Sequence, residues 1–205
     1  ASMARSARRW RMTNAVQVYS ASGILAAPPT GTRVGVGYFG NGMVDDFRDY
    51  ARLPAPEVAA LDLNELIREV LGLYESSSVR IEARLASRLP AVLGDATQLR
   101  QIIHNLLRNA EDALEGRTDG VIRVRTEATA GRARLLISDN GPGFPGEMLP
   151  RIFEPYVTTK ARGTGLGLPI VKKIVEEHQG SIEISNVSEG GARIDIRLPL
   201  VKVEE

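Results

Sequence analysis

Leu99-Arg100-Gln101-Ile102-Ile103-His104-Asn105-Leu106-Leu107-Arg108-Asn109-Ala110-Glu111-Asp112 is the stretch on which the fold of this chain turns. Its apolar residues Leu99, Ile102, Ile103, Leu106 and Ala110, continued by Leu114, recur three and four positions apart, the period of a helix with one buried face. Asp95 stands ahead of the run as a natural N-cap, so the spacing predicts a helix over roughly 96–115. Asn105, Asn109 and Asp112 fall at i, i+4 and i+7, on one stripe beside the apolar face. Amide oxygens in such a place can ligate a hard cation such as Mg²⁺, which takes oxygen donors and keeps several waters when it also meets phosphates. Taken alone, two solvated asparagines are the plainer reading.

Two later segments shift that balance. Asp139 closes an apolar alternation and is followed by Asn140-Gly141-Pro142-Gly143. A carboxylate fixed at a strand end can accept from an exocyclic amine such as that of adenine, while the glycines let the backbone close around a flat ring. An ordinary Asp-Asn-Gly-Pro turn has the same composition. Gly163-Thr164-Gly165-Leu166-Gly167-Leu168 then runs into a helix expected over about 166–178 and closed by Gly180, so its backbone N–H groups can face phosphate. Between these segments, 140–165 is longer than a compact domain usually leaves without a functional reason.

Working outward, Leu66, Ile67, Val70, Leu71 and Tyr74 mark an earlier helix, with Asn64 read as its cap. Alternation predicts strands near 79–85, 121–126 with 133–139 across a turn at Gly131, and the pair 182–184 and 192–198. Arg193, Asp195 and Arg197 give the last strand a half-exposed face. The expected fold is α/β: a two-layer sandwich in which a mixed, mostly antiparallel sheet carries three helices on one face. The catalytic or binding domain is placed at 58–201, with 41–54 as the end of a helical hairpin and 1–40 as a flexible or vector-derived leader.

Composition narrows the function. Four Phe and one Trp make the core largely aliphatic, and the absence of Cys excludes disulfides, thiolate catalysis and Cys-bound metals. The net charge of +1 conceals five arginines and no acid in residues 1–44, leaving −4 for the remainder, which gives no nucleic-acid footprint. No uncharged run has the apolar length of a bilayer span. If the native protein sits in a membrane, its anchor is expected outside this chain.

Asn105-Leu106-Leu107-Arg108-Asn109-Ala110, Asp139-Asn140-Gly141-Pro142-Gly143, Phe153-Glu154-Pro155-Tyr156 and Gly163 to Leu168 resemble the N box, first glycine box, F box and second glycine box of sensor histidine kinases. Met43-Val44-Asp45-Asp46-Phe47 with Tyr50-Ala51-Arg52-Leu53-Pro54 is similar to the end of the second dimerisation helix in the nitrogen-regulation branch of that family.

The resemblance implies the histidine kinase-like ATPase fold and a domain that transfers the γ-phosphate of ATP to a histidine. It implies Mg²⁺ on Asn109 and Asn105, and adenine held by Asp139 in a pocket shaped by Gly141 and Gly143. Phosphates would be wrapped by Gly163, Thr164, Gly165, Leu166, Gly167 and Leu168, with Asp112 nearby and Arg108, Lys160 and Arg162 as candidates to neutralise their charge. Lys160 joins Asn105 and Asn109 in the expected catalytic set, and Phe153 would anchor the lid. The implied partners are the dimerisation and histidine-phosphotransfer domain of the same protein, a second copy of it in the full-length homodimer, and a downstream response regulator. The implied location is the cytoplasmic side of an inner membrane.

One contrast with related ATPases and two departures from the family bear on that picture. Related ATPases that hydrolyse ATP place a glutamate where Asn105 stands, and an amide cannot act as general base. Neither His104 nor His178 has the surroundings of a phosphoacceptor, so the acceptor is expected outside this chain. Gly190-Gly191-Ala192 lacks a threonine that often supports adenine. An ATP-hydrolysing member of the superfamily, or a catalytically silent nucleotide-sensing or docking module, are the alternatives.

Overall fold

The computed structural model describes residues 53–160 and 163–201, together with short strands at 18–20 and 23–25. The chain falls into two units, 1–39 and 40–205. In the first, β1 (Val18–Ser20) pairs antiparallel with β2 (Gly23–Leu25). The hairpin end expected at 41–54 lies outside the described residues up to position 52.

The second unit contains β3 (Ala59–Leu61), α1 (Leu63–Gly72), β4 (Arg80–Arg84), β5 (Val92–Gly94), α2 (Ala96–Ala113), β6 (Val121–Thr129) and β7 (Arg132–Asp139). A 3-10 turn at Leu149–Arg151, α3 (Gly167–Glu177), β8 (Ser181–Asn186) and β9 (Ala192–Pro199) complete it. The main sheet has the order β4-β6-β7-β9-β8, with β4 parallel to β6 and every other pair antiparallel. This is the mixed sheet expected from the sequence. Strands β3 and β5 add a two-stranded ladder that alternation missed, since three residues are too few to show a period of two.

Side-chain alternation separates the two faces. Ile122, Val124, Leu135, Ile137, Ile194 and Ile196 are buried under the helices, which supply Ile67, Val70, Leu99, Ile102, Leu106 and Ile174. The opposite face is charged. There β9 runs inside the sheet, and Asp195, expected on a half-exposed strand, is only 7% exposed. Arg134 donates Nε to its Oδ1 (3.0 Å) and Nη2 to its Oδ2 (2.6 Å), and Arg197 Nη2 adds a contact of 3.2 Å. Burial would raise the Asp195 carboxyl, but the hydrogen bonds and charge of Arg134, with help from Arg197, hold it below the usual carboxylate range.

Local chemistry fixes the helix ends. Asp95 caps α2 as expected, accepting from the N–H groups of Thr97 (2.8 Å) and Gln98 (3.1 Å). The cap of α1 is Asp62, which accepts from Glu65 N–H at 3.0 Å. Asn64, read as that cap, is instead 5% exposed: it accepts from the Thr126 hydroxyl (2.7 Å) and donates to the Ala86 carbonyl (2.9 Å). At the end of α3, Gln179 takes the left-handed turn with φ 55, and Gly180 donates to Val175 O at 2.9 Å. Gly180 is needed for closeness: a Cβ there would meet Arg197 O at 2.7 Å. Between β6 and β7, Ala130 and Gly131 both have positive φ (50 and 74), as a two-residue hairpin turn of the primed type requires.

Among the described residues, no helix is long and apolar enough to cross a membrane.

Candidate functional site

Helix α2 forms the floor of the site. Asn105 and Asn109 are half-buried beside the core stripe, and Asp112 is exposed one turn further on. The Asn105 side chain has no hydrogen-bond partner among the described residues. Lys160 reaches over from the connection after β7: its ammonium donates to Asn109 Oδ1 (3.1 Å) and Asp112 Oδ2 (2.7 Å). Gly167, the first residue of α3, packs against the same asparagine, with its Cβ position 3.8 Å from Asn109 Nδ2. The N-terminus of α3 and its unpaired backbone donors therefore border Asn109.

The other end of the site is Asp139, at the end of β7 and 5% exposed. Its Oδ1 accepts from the backbone N–H of Gly141 (2.8 Å) and of Ala192 (3.3 Å). No hydrogen bond from the described residues reaches Oδ2, which leaves that oxygen able to accept from a ligand. The glycines around it leave no space for side chains. A Cβ at Gly141 would lie 2.9 Å from Asp139 Oδ1 and 3.1 Å from Ala113 O, and one at Gly191 would lie 1.9 Å from Asp139 O. The contact with Ala113 seats the first glycine loop on α2 one turn beyond Asn109, about 6 Å along the axis. Asp139, through the Gly141 loop, and Asn109 are thus both seated at the C-terminal half of α2.

The expected loop residues are held in different ways. Tyr156, at φ 68, donates its N–H to Gly165 O (3.1 Å), and a Cβ on Gly165 would strike the Tyr156 backbone at 2.6 Å, so these two segments are locked together. Leu166 N–H donates to Thr164 Oγ1 at 3.4 Å, and Leu166 is wholly buried, so it serves the core. Leu168 packs on the core with part of its surface open. Gly163 N–H bonds to Lys160 O at 3.1 Å, closing the turn that carries the lysine. Phe153, expected to anchor the loop, is half-buried with Lys172 Nζ 5.1 Å from its ring centre, and the fully buried anchor is its neighbour Ile152. Arg108 is exposed on the adjacent stripe of α2, and Arg162 lies outside the described residues.

Two supporting residues were not anticipated. Asn186 clips the backbone of Phe144, accepting its N–H at 2.8 Å and donating to its carbonyl at 2.7 Å, which holds Gly143 (φ 72) in place. Asn140 ties the loop to the start of β6, accepting from Val121 N–H (2.7 Å) and donating to Asp119 O (2.8 Å).

Both histidines have structural duties. His104 Nδ1 lies 3.2 Å from the Tyr74 hydroxyl. His178 Nε2 accepts from Asp95 N–H at 2.9 Å, so the ring proton is on Nδ1, 2.8 Å from Ile174 O.

Comparisons with known proteins agree with this fold. Residues 94–202 match the family model described as histidine kinase-, DNA gyrase B- and HSP90-like ATPase. A Rickettsia felis protein named as an NtrY-like sensor histidine kinase is 39% identical over 164 residues, covering 79% of this chain and 27% of the relative. The nitrogen regulation protein NtrY of Azorhizobium caulinodans is 40% identical over 164 residues, covering 76% of this chain and 21% of its own length. The chain thus spans about a quarter of the curated relatives it matches. Among solved structures, the nucleotide-free catalytic domain of histidine kinase ThkA aligns with TM-score 0.64 and 34% identity over 70% of this chain and 96% of that domain. Full-length ShkA in complex with AMPPNP aligns at 0.69 and 29%, over 80% of this chain and 36% of ShkA. ThkA in complex with the response regulator TrrA aligns at 0.66 and 29%, over 78% of this chain and 47% of that one. With the family model, the relatives and the sheet order in agreement, the chain belongs to the histidine kinase-, DNA gyrase B- and HSP90-like ATPase family and carries the catalytic domain of a histidine kinase.

Proposed function

We propose that this domain binds Mg·ATP in the groove between Asp139 and Asn109 and presents the γ-phosphate to a histidine on a dimerisation domain of the same protein. The observation that carries the reading is the Asp139 carboxylate, almost wholly buried, with one oxygen fixed by two backbone donors and the other unpartnered. That free oxygen suits the amino group of adenine and penalises a purine without it.

At the far end, Asn109, Asn105 and Asp112 each offer an oxygen acceptor, as suits a hard cation that keeps waters. The ammonium of Lys160 already stands on two of those oxygens, so the donor set fits a metal. Asn109 and Asn105 would hold Mg²⁺, which on binding neutralises phosphate charge. The backbone N–H groups of 163–168 at the start of α3 meet the phosphates, with Arg108 and Lys160 as further countercharge. Asn105 has no basic oxygen to activate water, so ATP is kept for transfer.

The whole protein is read as a sensor kinase, homodimeric through the hairpin that ends near Pro54. Its domain here lies on the cytoplasmic side of an inner membrane and serves a response regulator. The named likenesses to NtrY and to the ThkA complex support that reading.

The test is phosphotransfer in trans. Incubating this chain with a helical hairpin bearing an acceptor histidine, Mg²⁺ and radiolabelled ATP should label the hairpin with acid-labile, base-stable phosphate. Asn109→Asp and Asp139→Asn should lose that label. Rapid release of free phosphate without labelling would replace the kinase reading with hydrolysis.

A further inference from the structure

We propose that the face of the sheet turned away from the helices carries an oxyanion site, in which Arg84, Arg123 and Arg125 close around one phosphate group. The site lies on the other side of the sheet from Asp139 and α2, and it depends on no assignment made for the nucleotide.

Strand pairing brings the arginines together. Arg84 and Arg125 are partners in the parallel β4–β6 ladder, and Arg123 shares their face because Ile122 and Val124 turn into the core. Like charges directly opposite each other in a sheet cost stability. Neither Arg84 nor Arg125 has an acidic partner among the described residues. Across Ser138, the row of Arg123 continues to Arg193 on β9, which also has none. The carboxylate in this corner, Glu82, is already shared: it lies 3.0 Å from Arg80 Nη2 and 3.5 Å from Arg123 Nε.

The rest of the same face is treated differently. Arg134 is paired with Asp195 and Glu127, and Arg197 with Asp195 and Glu183. Charges on an edge strand guard against sheet-to-sheet pairing, which accounts for Arg80 and Arg84 on β4. It does not account for Arg123, Arg125 and Arg193, because β6 and β9 are interior strands. Every basic residue in the five strands is arginine and none is lysine. Lysine would serve solubility as well, whereas the planar guanidinium fork is suited to bidentate bonds with an oxyanion.

Glu82, Arg84, Arg123 and Arg125 line a depression of about 90 Å³. That is well below the ~300–1,000 Å³ of sites that take drug-sized molecules, so it admits a single oxyanion and not a nucleoside. Three guanidinium groups around one small group favour the doubly charged phosphate over a carboxylate. The phosphate could belong to a free phosphate compound or to an anionic lipid headgroup, and the two sources are separable.

The test is a titration of this chain with inorganic phosphate at constant ionic strength, followed by the arginine Nε–H resonances, with chloride as control. Those of Arg84, Arg123 and Arg125 should shift saturably, and Arg84→Gln with Arg125→Gln should raise the half-saturating concentration at least tenfold. Arg100→Gln, on the helical layer, should leave it unchanged. A linear drift equal to that with chloride, or saturable shifts confined to the backbone of 163–168, would overturn the proposal. Urea denaturation gives a second readout. Without phosphate, Arg125→Gln should be at least as stable as wild type, since it relieves a like-charge pair. Phosphate at ten times half-saturation should raise the folding constant of wild type roughly five- to tenfold more than that of Arg125→Gln. Equal gains in the two proteins would also sink the site. Sedimentation with phosphatidylglycerol vesicles, against phosphatidylcholine, then identifies the source. Retention that needs Arg84 and Arg125 puts the phosphate on a lipid, and saturable titration without retention makes it a free phosphate compound.

Discussion

The two oxygens of Asp139 stand differently: Oδ1 holds the backbone of Gly141 and Ala192, and Oδ2, without a partner among the described residues, is the one proposed to meet adenine. Asp139→Asn keeps an acceptor for the backbone but can turn a donor toward adenine. ATP affinity should fall by ~10–100-fold, the scale of a hydrogen bond to a charged group, while the thermal midpoint moves little. Isothermal calorimetry and a melting curve check both halves, and unchanged affinity would remove Asp139 from the base pocket. Asp139→Ala is a poorer probe because it also orphans two backbone donors. At this scale the sequence showed Asp139, Gly141 and Gly143 as one loop, because they lie within one short motif and the contact of Asp139 with Gly141 is local. It was silent where the partner is remote. Asn186 acts 42 positions from Phe144, and Asn64 acts 62 positions from Thr126, so neither could be told from a turn or cap residue by spacing.

Among the elements, α2 supports both the core and the site. Leu106 is buried one position beyond Asn105, so Leu106→Ala should cost about 2–5 kcal/mol by urea denaturation and should weaken Mg·ATP binding by loosening the helix. A cost below ~1 kcal/mol would mean that the helix face is not packed as described. The boundaries of α2 and α3 were legible because their apolar stripes are long. The cap of α1 was misassigned because Asp62 and Asn64 are equally good cap residues in isolation, and only tertiary contacts choose between them. Strands β3 and β5 were missed for lack of length, whereas β6 and β7 were readable from alternation across Ala130-Gly131.

For the whole molecule, the open face of the sheet sets the response to acid. The Asp195 carboxyl is held below its unfolded value near ~3.9, so the stability it supplies is complete above that pH and is lost as pH falls through the lower folded value. Asp95 is shifted in the same direction: burial would raise it, but the N–H groups of Glu57, Gln98 and Thr97 outweigh that. The stability gap between wild type and Asp195→Asn should hold steady from neutral pH to about 5 and narrow below about 4. A gap that persists unchanged to pH 3 in urea titrations would show that the Arg134 pair contributes nothing through charge. The layer order and the mixed sheet were readable in advance. The ion-paired face was not, because the register that puts Arg134 opposite Arg197, and Leu136 opposite Asp195, is a property of strand pairing.

The chain entering the domain is stitched to the start of α2: Gln98 Nε2 donates to Pro54 O at 2.9 Å, and Glu57 N–H donates to Asp95 Oδ2 at 2.9 Å. Asn105, Asn109 and Asp112 ride on the same continuous helix, the last of them about 20 Å down its axis from that seam. The seam therefore fastens the entering chain to the first turn of one unbroken helix, so a substitution at Gln98 or Asp95 that loosens it acts on the same rod that carries the proposed metal ligands.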